Sequence, residues 1–140
     1  MRLVLDTNVV VAAFLSRRGA SNALLRLAVQ RQFMPLASTA LFVEYEDVLS
    51  RPEFLLDADI RRADARKLIA RFADLCCPVE TYFKTRPILP DPTDEMVLEA
   101  AINGRAEAIV THNIKDFVKA QEIYDVTLWR PAEALERLRS

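Results

Sequence analysis

Residues 2–9 of the chain are RLVLDTNV, a stretch in which an apolar run stops at an aspartate. The part from Leu3 to Leu5 is short and contains a β-branched valine, which predicts a buried strand. Asp6 stands where this strand ends, and the apolar residues of 9–15 predict a helix. A buried strand that passes directly into a helix is typical of the first unit of an α/β fold.

The alternation of strands and helices continues along the whole chain. Apolar runs predict further strands at residues 33–37, 78–81, 108–111 and 126–129. Apolar residues at helical spacing predict one helix capped by Ser21 and another capped by Ser38 or Thr39, and this second helix ends near Pro52. Further helices are predicted at 59–75, 93–103, 113–118 and 131–138, and Gly104 closes the one at 93–103. Helical crossovers of this length require parallel pairing. The predicted fold class is therefore α/β, with a central parallel sheet of four to five strands and helices on both faces.

Length and composition exclude several classes of protein. The 140 residues predict one domain over 1–140, and 51% hydrophobic residues supply a core, which excludes disorder. The net charge is −1, so any contact with nucleic acid must be local. No apolar run approaches the ~18 residues of a membrane span and no leader opens the chain, so we expect a cytoplasmic protein without membrane contact. Cys76 and Cys77 are adjacent, which suits neither a disulfide nor a metal site, and we expect inert thiols.

Acidic side chains stand near the predicted carboxyl ends of the strands, the edge at which open parallel sheets form their sites. Asp6 follows the first strand, Asp94 lies in the first turn of a helix, and Asp116 comes shortly after the fourth strand. Glu44 lies within a helix beside mainly apolar neighbours. Glu46 has a similar neighbourhood, and periodicity alone does not choose between the two glutamates.

Each of the three aspartates also has a structural interpretation as part of a helix cap. Asp is strongly preferred at N-caps, so capping explains Asp6 alone as well as function does. Asp94 lies three residues after Asp91, and Asp116 lies three residues after Asn113, a spacing related to the capping box. Four carboxylates at one edge of a sheet would repel one another unless a hard divalent cation bound between them. The cluster as a whole therefore favours a metal site.

Four segments of the chain resemble the successive motifs of PIN-domain ribonucleases. They are LVLDTNV at residues 3–9, LFVEYEDVL at 41–49, DPTDEMVLEAA at 91–101 and IVTHNIKDF at 109–117. The resemblance spans essentially the whole chain, and the order, spacing and length are similar to those of the VapC-like toxins of bacterial toxin–antitoxin pairs. The implied fold is a three-layer α/β/α PIN-like domain.

The resemblance implies a role for each matching residue and selects Glu44 over Glu46. The implied catalytic and metal-binding residues are Asp6, Glu44, Asp94 and Asp116. The implied supporting residues, which orient the acids or a water, are Thr7, Asn8, Thr111 and Asn113. Some family members carry an acid at the position of Asn113, and this departure leaves open whether a second metal ion binds.

By the same resemblance we expect a metal-dependent endoribonuclease that uses Mg²⁺ or Mn²⁺. The metal would lower the pKa of a water and neutralise charge on the scissile phosphate, so that no nucleophilic side chain is needed. Cleavage would leave a 5′-phosphate and a 3′-hydroxyl on single-stranded or tRNA-like RNA. The implied partners are the RNA substrate, a small antitoxin that blocks the site and a second copy of the chain in a homodimer.

Other functions remain as alternatives. A phosphatase of the haloacid-dehalogenase type also begins with a strand that ends in Asp, but it requires a second Asp where this chain has Asn8. A non-catalytic PIN-like module that binds RNA or protein is disfavoured because all four acids are present. An RNA-processing nuclease outside a toxin–antitoxin pair stays open.

The remaining polar residues carry weaker signals. Asp91 and Glu95 are interpreted as solvated cap residues, with a contact to the metal through water as the alternative. His112, the only histidine, is interpreted as an exposed loop residue, with a substrate contact as the alternative. Basic residues are interpreted as solvated, with phosphate contacts as the alternative; these are Arg17, Arg18, Lys115, Lys119 and the face formed by residues 61–71.

Overall fold

A computed structural model of the chain describes residues 1–85 and 87–140. Within these residues five strands form a single sheet in the order β3-β2-β1-β4-β5, and every pairing is parallel. The strands are β1 (Arg2–Leu5), β2 (Met34–Ser38), β3 (Cys77–Val79), β4 (Ala108–Val110) and β5 (Leu128–Trp129). The predicted parallel α/β fold is confirmed.

The connections between the strands are helical, so that the sheet is the middle layer of a three-layer α/β/α fold. In the described part of the chain the helices are α1 (Thr7–Leu15), α2 (Ala20–Val29), α3 (Thr39–Leu49), α4 (Pro52–Ala58), α5 (Arg62–Leu75), α6 (Pro92–Gly104), a 3₁₀ helix (Ile114–Phe117), α7 (Val118–Tyr124) and α8 (Pro131–Arg139). Helix α6 packs on β1, β2 and β4, and α2 packs on α1 and α8. None of these helices is long and apolar enough to cross a membrane.

Strand β1 lies at the centre of the core because it is the middle strand of the five. Leu3 and Val4 are completely buried, and burial of one such side chain stabilises the fold by about 1.5–3 kcal/mol. The buried Tyr45 of α3 donates a hydrogen bond from its hydroxyl to the carbonyl of Leu5. This bond fixes α3 against the carboxyl end of β1, beside Asp6.

Several predicted boundaries are confirmed and others are wrong. The observed strands differ from the predicted ones by at most two residues at either end. Ser38 caps α3 as one of the two predicted candidates, since its hydroxyl accepts a 3.1 Å hydrogen bond from the N–H of Leu41. Ser21 is not a cap, because Gly19 holds that position and Ser21 lies buried inside α2.

Helix α4 is absent from the sequence prediction, in which Pro52 only ends the preceding helix. Proline also suits the first turn of a helix, where its missing N–H needs no partner, and Pro52 begins α4 in this way. Asp59 then ends α4 with a left-handed φ of 53°. The predicted helix 59–75 consequently begins only at Arg62. The predicted short helix 113–118 divides into the 3₁₀ helix and α7.

Gly104 does not end α6 in the predicted way. The left-handed residue that follows the helix is Arg105, with a φ of 52°, and Gly104 is the last helical residue. A Cβ atom on Gly104 would lie 2.8 Å from Cδ1 of Leu36 and 3.0 Å from Cγ2 of Val79. A Cβ atom here would require the side chains of the buried Leu36 and of Val79 to shift, so the close approach of α6 to β2 and β3 favours glycine.

The two cysteines are free and half-buried at the junction of α5 and β3. Burial raises the pKa of the Cys76 thiol to about 12, with a smaller contribution from Cys77. A thiol with this pKa is protonated at neutral pH and is a poor nucleophile. This agrees with the prediction of an inert thiol at Cys76.

Candidate functional site

The buried carboxylate of Asp6 lies at the carboxyl end of the central strand. Its side chain is only 4% exposed, and both of its oxygens accept hydrogen bonds. Oδ1 accepts a 2.8 Å bond from the N–H of Thr7, and Oδ2 accepts a 2.7 Å bond from the hydroxyl of Thr111. Thr111 reaches Asp6 because β1 pairs with β4 in a register that places Leu5 beside Val110.

Competing effects act on the ionisation of Asp6. Burial is the largest and raises its pKa, since it disfavours the charged form. The hydrogen bonds from Thr111 and Thr7 oppose this effect by stabilising the carboxylate. The negative charges of Asp116 and Asp91 raise the pKa further. Asp6 is thus a helix N-cap, as its structural interpretation predicts, and also a member of an acidic cluster.

Within this acidic cluster, the pKa of Asp94 is raised the most. Asp94 lies half-buried in the first turn of α6, and its pKa is raised to about 7. Burial is the main cause, followed by the charges of Asp6, Asp91 and Asp116. The structure therefore brings together three of the four predicted acids, Asp6, Asp94 and Asp116, although they are far apart in the sequence.

Asp91 belongs to the same cluster. It is exposed and caps α6, because its Oδ1 accepts a 2.8 Å hydrogen bond from the N–H of Thr93, as the interpretation as a cap predicts. Its charge also acts on Asp6 and Asp94. The sequence contains a signal for this second contribution, since Asp91 lies only three residues before Asp94.

Glu44 lies on α3, half-buried, whereas Glu46 is exposed. Glu44 is not among the carboxylates that raise the pKa of Asp94. Its charge acts instead on Arg51, whose pKa is raised first by a hydrogen bond to Asp47 and to a smaller extent by Glu44. Burial thus distinguishes the two glutamates that periodicity could not separate.

The four supporting residues surround Asp6 and the loop after β4. Thr7 Oγ1 and Asn8 Oδ1 are buried and have no hydrogen-bond partner among residues 1–85 and 87–140. The hydroxyl of Thr111 accepts a 3.0 Å hydrogen bond from the N–H of Asn113. Asn113 holds the N-cap position of the 3₁₀ helix, as the capping interpretation predicts, but its side chain makes no capping hydrogen bond.

Glu95 has a structural role that the sequence interpretation misses. Its carboxylate accepts hydrogen bonds from the hydroxyl of Thr85 at 2.6 Å, the N–H of Ile88 at 3.3 Å and the N–H of Leu89 at 3.1 Å. It is therefore not a solvated cap residue. The proline-rich stretch 87–92 offers a usable signal, because a loop without regular structure needs side-chain acceptors for its buried N–H groups.

His112 is exposed, as predicted, and connects the loop after β4 to two other elements. Its Nε2 lies 3.2 Å from the hydroxyl of the buried Ser21. Its carbonyl accepts a 2.9 Å hydrogen bond from the guanidinium of Arg130. The backbone between Thr111 and Asp116 is consequently held from α2 and from the segment before α8.

A pocket of about 500 Å³ opens at this acidic edge. Its lining combines carboxylates, lysines and an apolar wall, namely Ile88, Leu89, Pro90, Asp91, Asp94, Lys115, Asp116 and Lys119. In the described part of the chain, no three Asp, Glu, His or Cys side chains form a ready ligand set for one metal ion. The arrangement is therefore a pocket that combines three carboxylates with two lysines, and its carboxylates do not form a ready set around one point.

The chain shares this sequence pattern and fold with known proteins. The PIN domain family model matches residues 2–115, and the chain therefore belongs to the PIN domain family. The comparison with curated proteins gave no match.

Two solved structures have a similar fold. The first is VapBC2 from Rickettsia felis, bound to a DNA fragment from its promoter. Its sequence is 17% identical, the TM-score is 0.65, and the match covers 93% of this chain and 98% of that one. The second is VapBC-1 from nontypeable Haemophilus influenzae. Its sequence is 16% identical, the TM-score is 0.63, and the match covers 94% of this chain and 99% of that one. At this level of identity the likeness concerns the fold.

Proposed function

We propose that this PIN domain, spanning residues 1–140, is an endoribonuclease that depends on Mg²⁺ or Mn²⁺. PIN domains are a family of nucleases, and the observation that supports the proposal most directly is the state of Asp94. Its pKa of about 7 reflects burial and three neighbouring aspartate charges, so the acids form one electrostatic unit. A nuclease needs this concentration of negative charge to hold a divalent cation beside a phosphate.

The residues present suit such a cation. All the acids of the cluster offer oxygen atoms, the ligands that Mg²⁺ prefers, and Mg²⁺ is usually bound by only one or two carboxylates together with waters and substrate phosphates. A ready set of three carboxylates is therefore not required. The buried Thr7 Oγ1 and Asn8 Oδ1, which lack partners in the described chain, are polar groups that a hydrated ion would satisfy.

We assign the ion to Asp6, Asp94 and Asp116, with Glu44 as the fourth acid. When bound, it would supply positive charge at the scissile phosphate and acidify a water. Asp6 is the rigid member, because Thr7 and Thr111 hold both of its oxygens. Asp116 is exposed, so its carboxylate is accessible to a substrate. Thr111 orients Asp6, and the backbone N–H of Asn113 donates a hydrogen bond to the hydroxyl of Thr111.

The direct test is cleavage of labelled RNA by the purified protein with Mg²⁺ or Mn²⁺ and with EDTA. We expect cleavage only with metal, and we expect Asp6→Asn, Glu44→Gln and Asp94→Asn each to abolish it with an unchanged circular-dichroism spectrum. Glu46→Gln is the matched control and should be mild, because Glu46 is exposed on the same helix. Cleavage by the triple variant that resists EDTA would exclude the metal mechanism.

We further propose that the protein is the toxin of a bacterial toxin–antitoxin pair and acts in the cytoplasm. The support is the family membership together with the two neighbours, which are VapBC structures covering over nine-tenths of this chain. The partner would be a small antitoxin that blocks the acidic pocket, and the toxin would form a homodimer. Expression alone should arrest growth, and co-expression with the antitoxin encoded beside it should restore growth.

The alternative is an RNA-processing nuclease outside such a pair. Normal growth despite soluble, RNA-cleaving protein would favour this alternative and leave the nuclease proposal intact. A protein that binds RNA without cleaving it under any metal condition would favour the non-catalytic module. Analytical ultracentrifugation of the protein alone tests the homodimer.

A further inference from the structure

The acidic pocket contains two lysines that the proposed metal site does not use. Lys115 lies in the 3₁₀ helix and Lys119 lies in α7, four residues further on, and both line the pocket together with Asp91, Asp94 and Asp116. The two ammonium groups therefore form a pair of positive charges at the edge of a negatively charged pocket.

These lysines are not neutralised by the neighbouring acids. In the described part of the chain the one ion pair within 4.0 Å joins Arg51 to Asp47 of α3. Lys115 and Lys119 are exposed and thus keep their charge available to a ligand. A pocket that offers carboxylates to a cation and lysines to an anion is complementary to a phosphate accompanied by a metal ion.

The third component of the pocket is an apolar wall formed by Ile88, Leu89 and Pro90. The N–H groups of Ile88 and Leu89 donate to Glu95, and proline has no N–H, so this wall has no backbone donor left to read a base. The volume of about 500 Å³ lies within the range of about 300–1,000 Å³ of small-ligand sites. The side chains of the wall are apolar, so they contact a base without a hydrogen bond that would select it.

We propose that the pocket is a nucleotide subsite in which Lys115 and Lys119 bind an RNA backbone phosphate next to the scissile one, while the base lies against residues 88–90 without sequence readout. This inference rests on the proposed function and deepens it, since it assigns how the substrate strand is held. It also accounts for local binding of RNA by a chain whose net charge is −1.

The chain offers a matched control, because its four lysines divide evenly. Lys115 and Lys119 line the pocket, whereas Lys67 and Lys84 are exposed elsewhere. The double variants Lys115→Gln/Lys119→Gln and Lys67→Gln/Lys84→Gln remove the same charge. Binding of fluorescein-labelled ten-residue oligo(U) and oligo(A) RNA would be measured by anisotropy over a series of NaCl concentrations, in EDTA and also with Mg²⁺ in a Glu44→Gln background, two conditions in which we expect no cleavage.

We expect the pocket variant to bind about tenfold more weakly for each lysine charge removed, equally for both RNAs. The slope of log K against log salt should fall by about 0.7 for each phosphate that the variant no longer neutralises. The control variant should keep the wild-type slope, and Lys115→Arg/Lys119→Arg should restore binding. Equal affinities and slopes for the two Gln double variants, or no binding of either RNA by the wild type, would overturn the subsite.

The subsite and the nuclease can fail separately. Wild-type cleavage with Mg²⁺ combined with identical binding by the two double variants overturns the subsite alone. Lysine-dependent binding without cleavage under any metal condition supports the subsite and overturns the nuclease.

Discussion

The hydroxyl of Thr111 donates a 2.7 Å hydrogen bond to Oδ2 of Asp6, across 105 residues of sequence. The same hydroxyl accepts a 3.0 Å bond from the N–H of Asn113. One side chain therefore fixes both the buried acid and the backbone of the loop that leads to Asp116. Removing this hydroxyl would disturb the site at two points.

Replacing Thr111 with valine should destabilise the protein by about 2 kcal/mol, because a hydrogen bond to a charged group contributes about 1.5–3 kcal/mol. The change keeps the shape of the side chain but leaves Asp6 with one fewer donor, and it leaves the N–H of Asn113 without its acceptor. Urea unfolding at pH 7 measures the loss. Thr111→Ser retains the hydroxyl and should recover most of the stability. Equal losses in the two variants would show that packing of the methyl group, and not the hydrogen bond, is important.

The pKa of Asp94 predicts how stability depends on pH in the absence of metal. Its pKa is about 7 in the folded protein and 3.8 as the ordinary value, so the folded state holds this proton more tightly. The stabilisation from the bound proton is present below about pH 4 and is lost as the pH rises towards 7. We therefore expect the melting temperature in EDTA to fall between pH 5 and pH 8, and Asp94→Asn to reduce that fall. Asp57→Asn, an exposed carboxyl group on α4, serves as the control, and a wild-type slope in Asp94→Asn would contradict the prediction.

A divalent metal ion should reverse the loss of stability that repulsion within the acidic cluster causes. A hundredfold excess of Mn²⁺ over its Kd should stabilise the wild type by about 2.7 kcal/mol, since the ion binds only the folded state. Asp94→Asn removes one ligand and should respond far less. Thermal melts of both proteins with EDTA and with Mn²⁺ measure the difference. An equal response would mean that Asp94 is a structural residue and not a ligand.

The hydrogen bonds of Glu95 predict that this residue holds the apolar wall of the pocket. Glu95→Gln offers one acceptor oxygen in place of two and turns an amide donor towards the N–H groups of Ile88 and Leu89. We expect a loss of about 1–3 kcal/mol, the cost of unsatisfied buried donors. Glu122→Gln, exposed on α7, is the control and should change stability by less than about 0.5 kcal/mol. Hydrogen exchange at Ile88 and Leu89 should accelerate only in the Glu95 variant.

Gly104→Ala should destabilise the protein although alanine is the better helix former. Helix propensity favours alanine by about 1 kcal/mol, but overpacking in a core costs about 1–3 kcal/mol. The new Cβ would meet the buried Leu36 at 2.8 Å. Gly19→Ala is the control for steric contact, because the nearest atom outside its chain neighbours, Ser16 Oγ, lies at an ordinary 3.5 Å; it loses only the preference of an N-cap position for glycine over alanine. Thermal unfolding distinguishes the two, and a more stable Gly104→Ala would contradict the packing argument.

The sheet could be predicted from the sequence because its strands are short apolar runs separated by helical spacing. Asp6 was recognisable for the same reason, since it interrupts such a run at a defined edge. Helix α4 was not recognisable, because proline can end one helix and begin another, and the local pattern around Pro52 fits both.

The contacts of Ser21 and Glu95 depend on tertiary structure. Ser21 meets a residue 91 positions away, and Glu95 bonds loop residues six to ten positions before it, of which the proline-rich stretch is only a general signal. Ser21 has the composition of a cap, and only the approach of His112 shows its actual contact. Glu95 has the composition of a first-turn helix residue, and only the path of the loop over residues 85–89 gives it three donors. Local patterns describe a residue's own helix or strand, and tertiary contacts decide which polar groups it satisfies.

The strand order β3-β2-β1-β4-β5 has a consequence for the time at which the site forms. Strand β1 is made first, but its pairing with β4 requires Ala108, and Asp6 has no Thr111 until the chain has grown further still. Synthesis adds about 5–20 residues per second, so several seconds pass before β1 has a partner on the side that β4 occupies in the folded sheet. A growing chain therefore carries no complete acidic cluster, and any product truncated before β4 lacks Thr111 and Asp116. The complete cluster is present only during the last part of the time in which the chain is made.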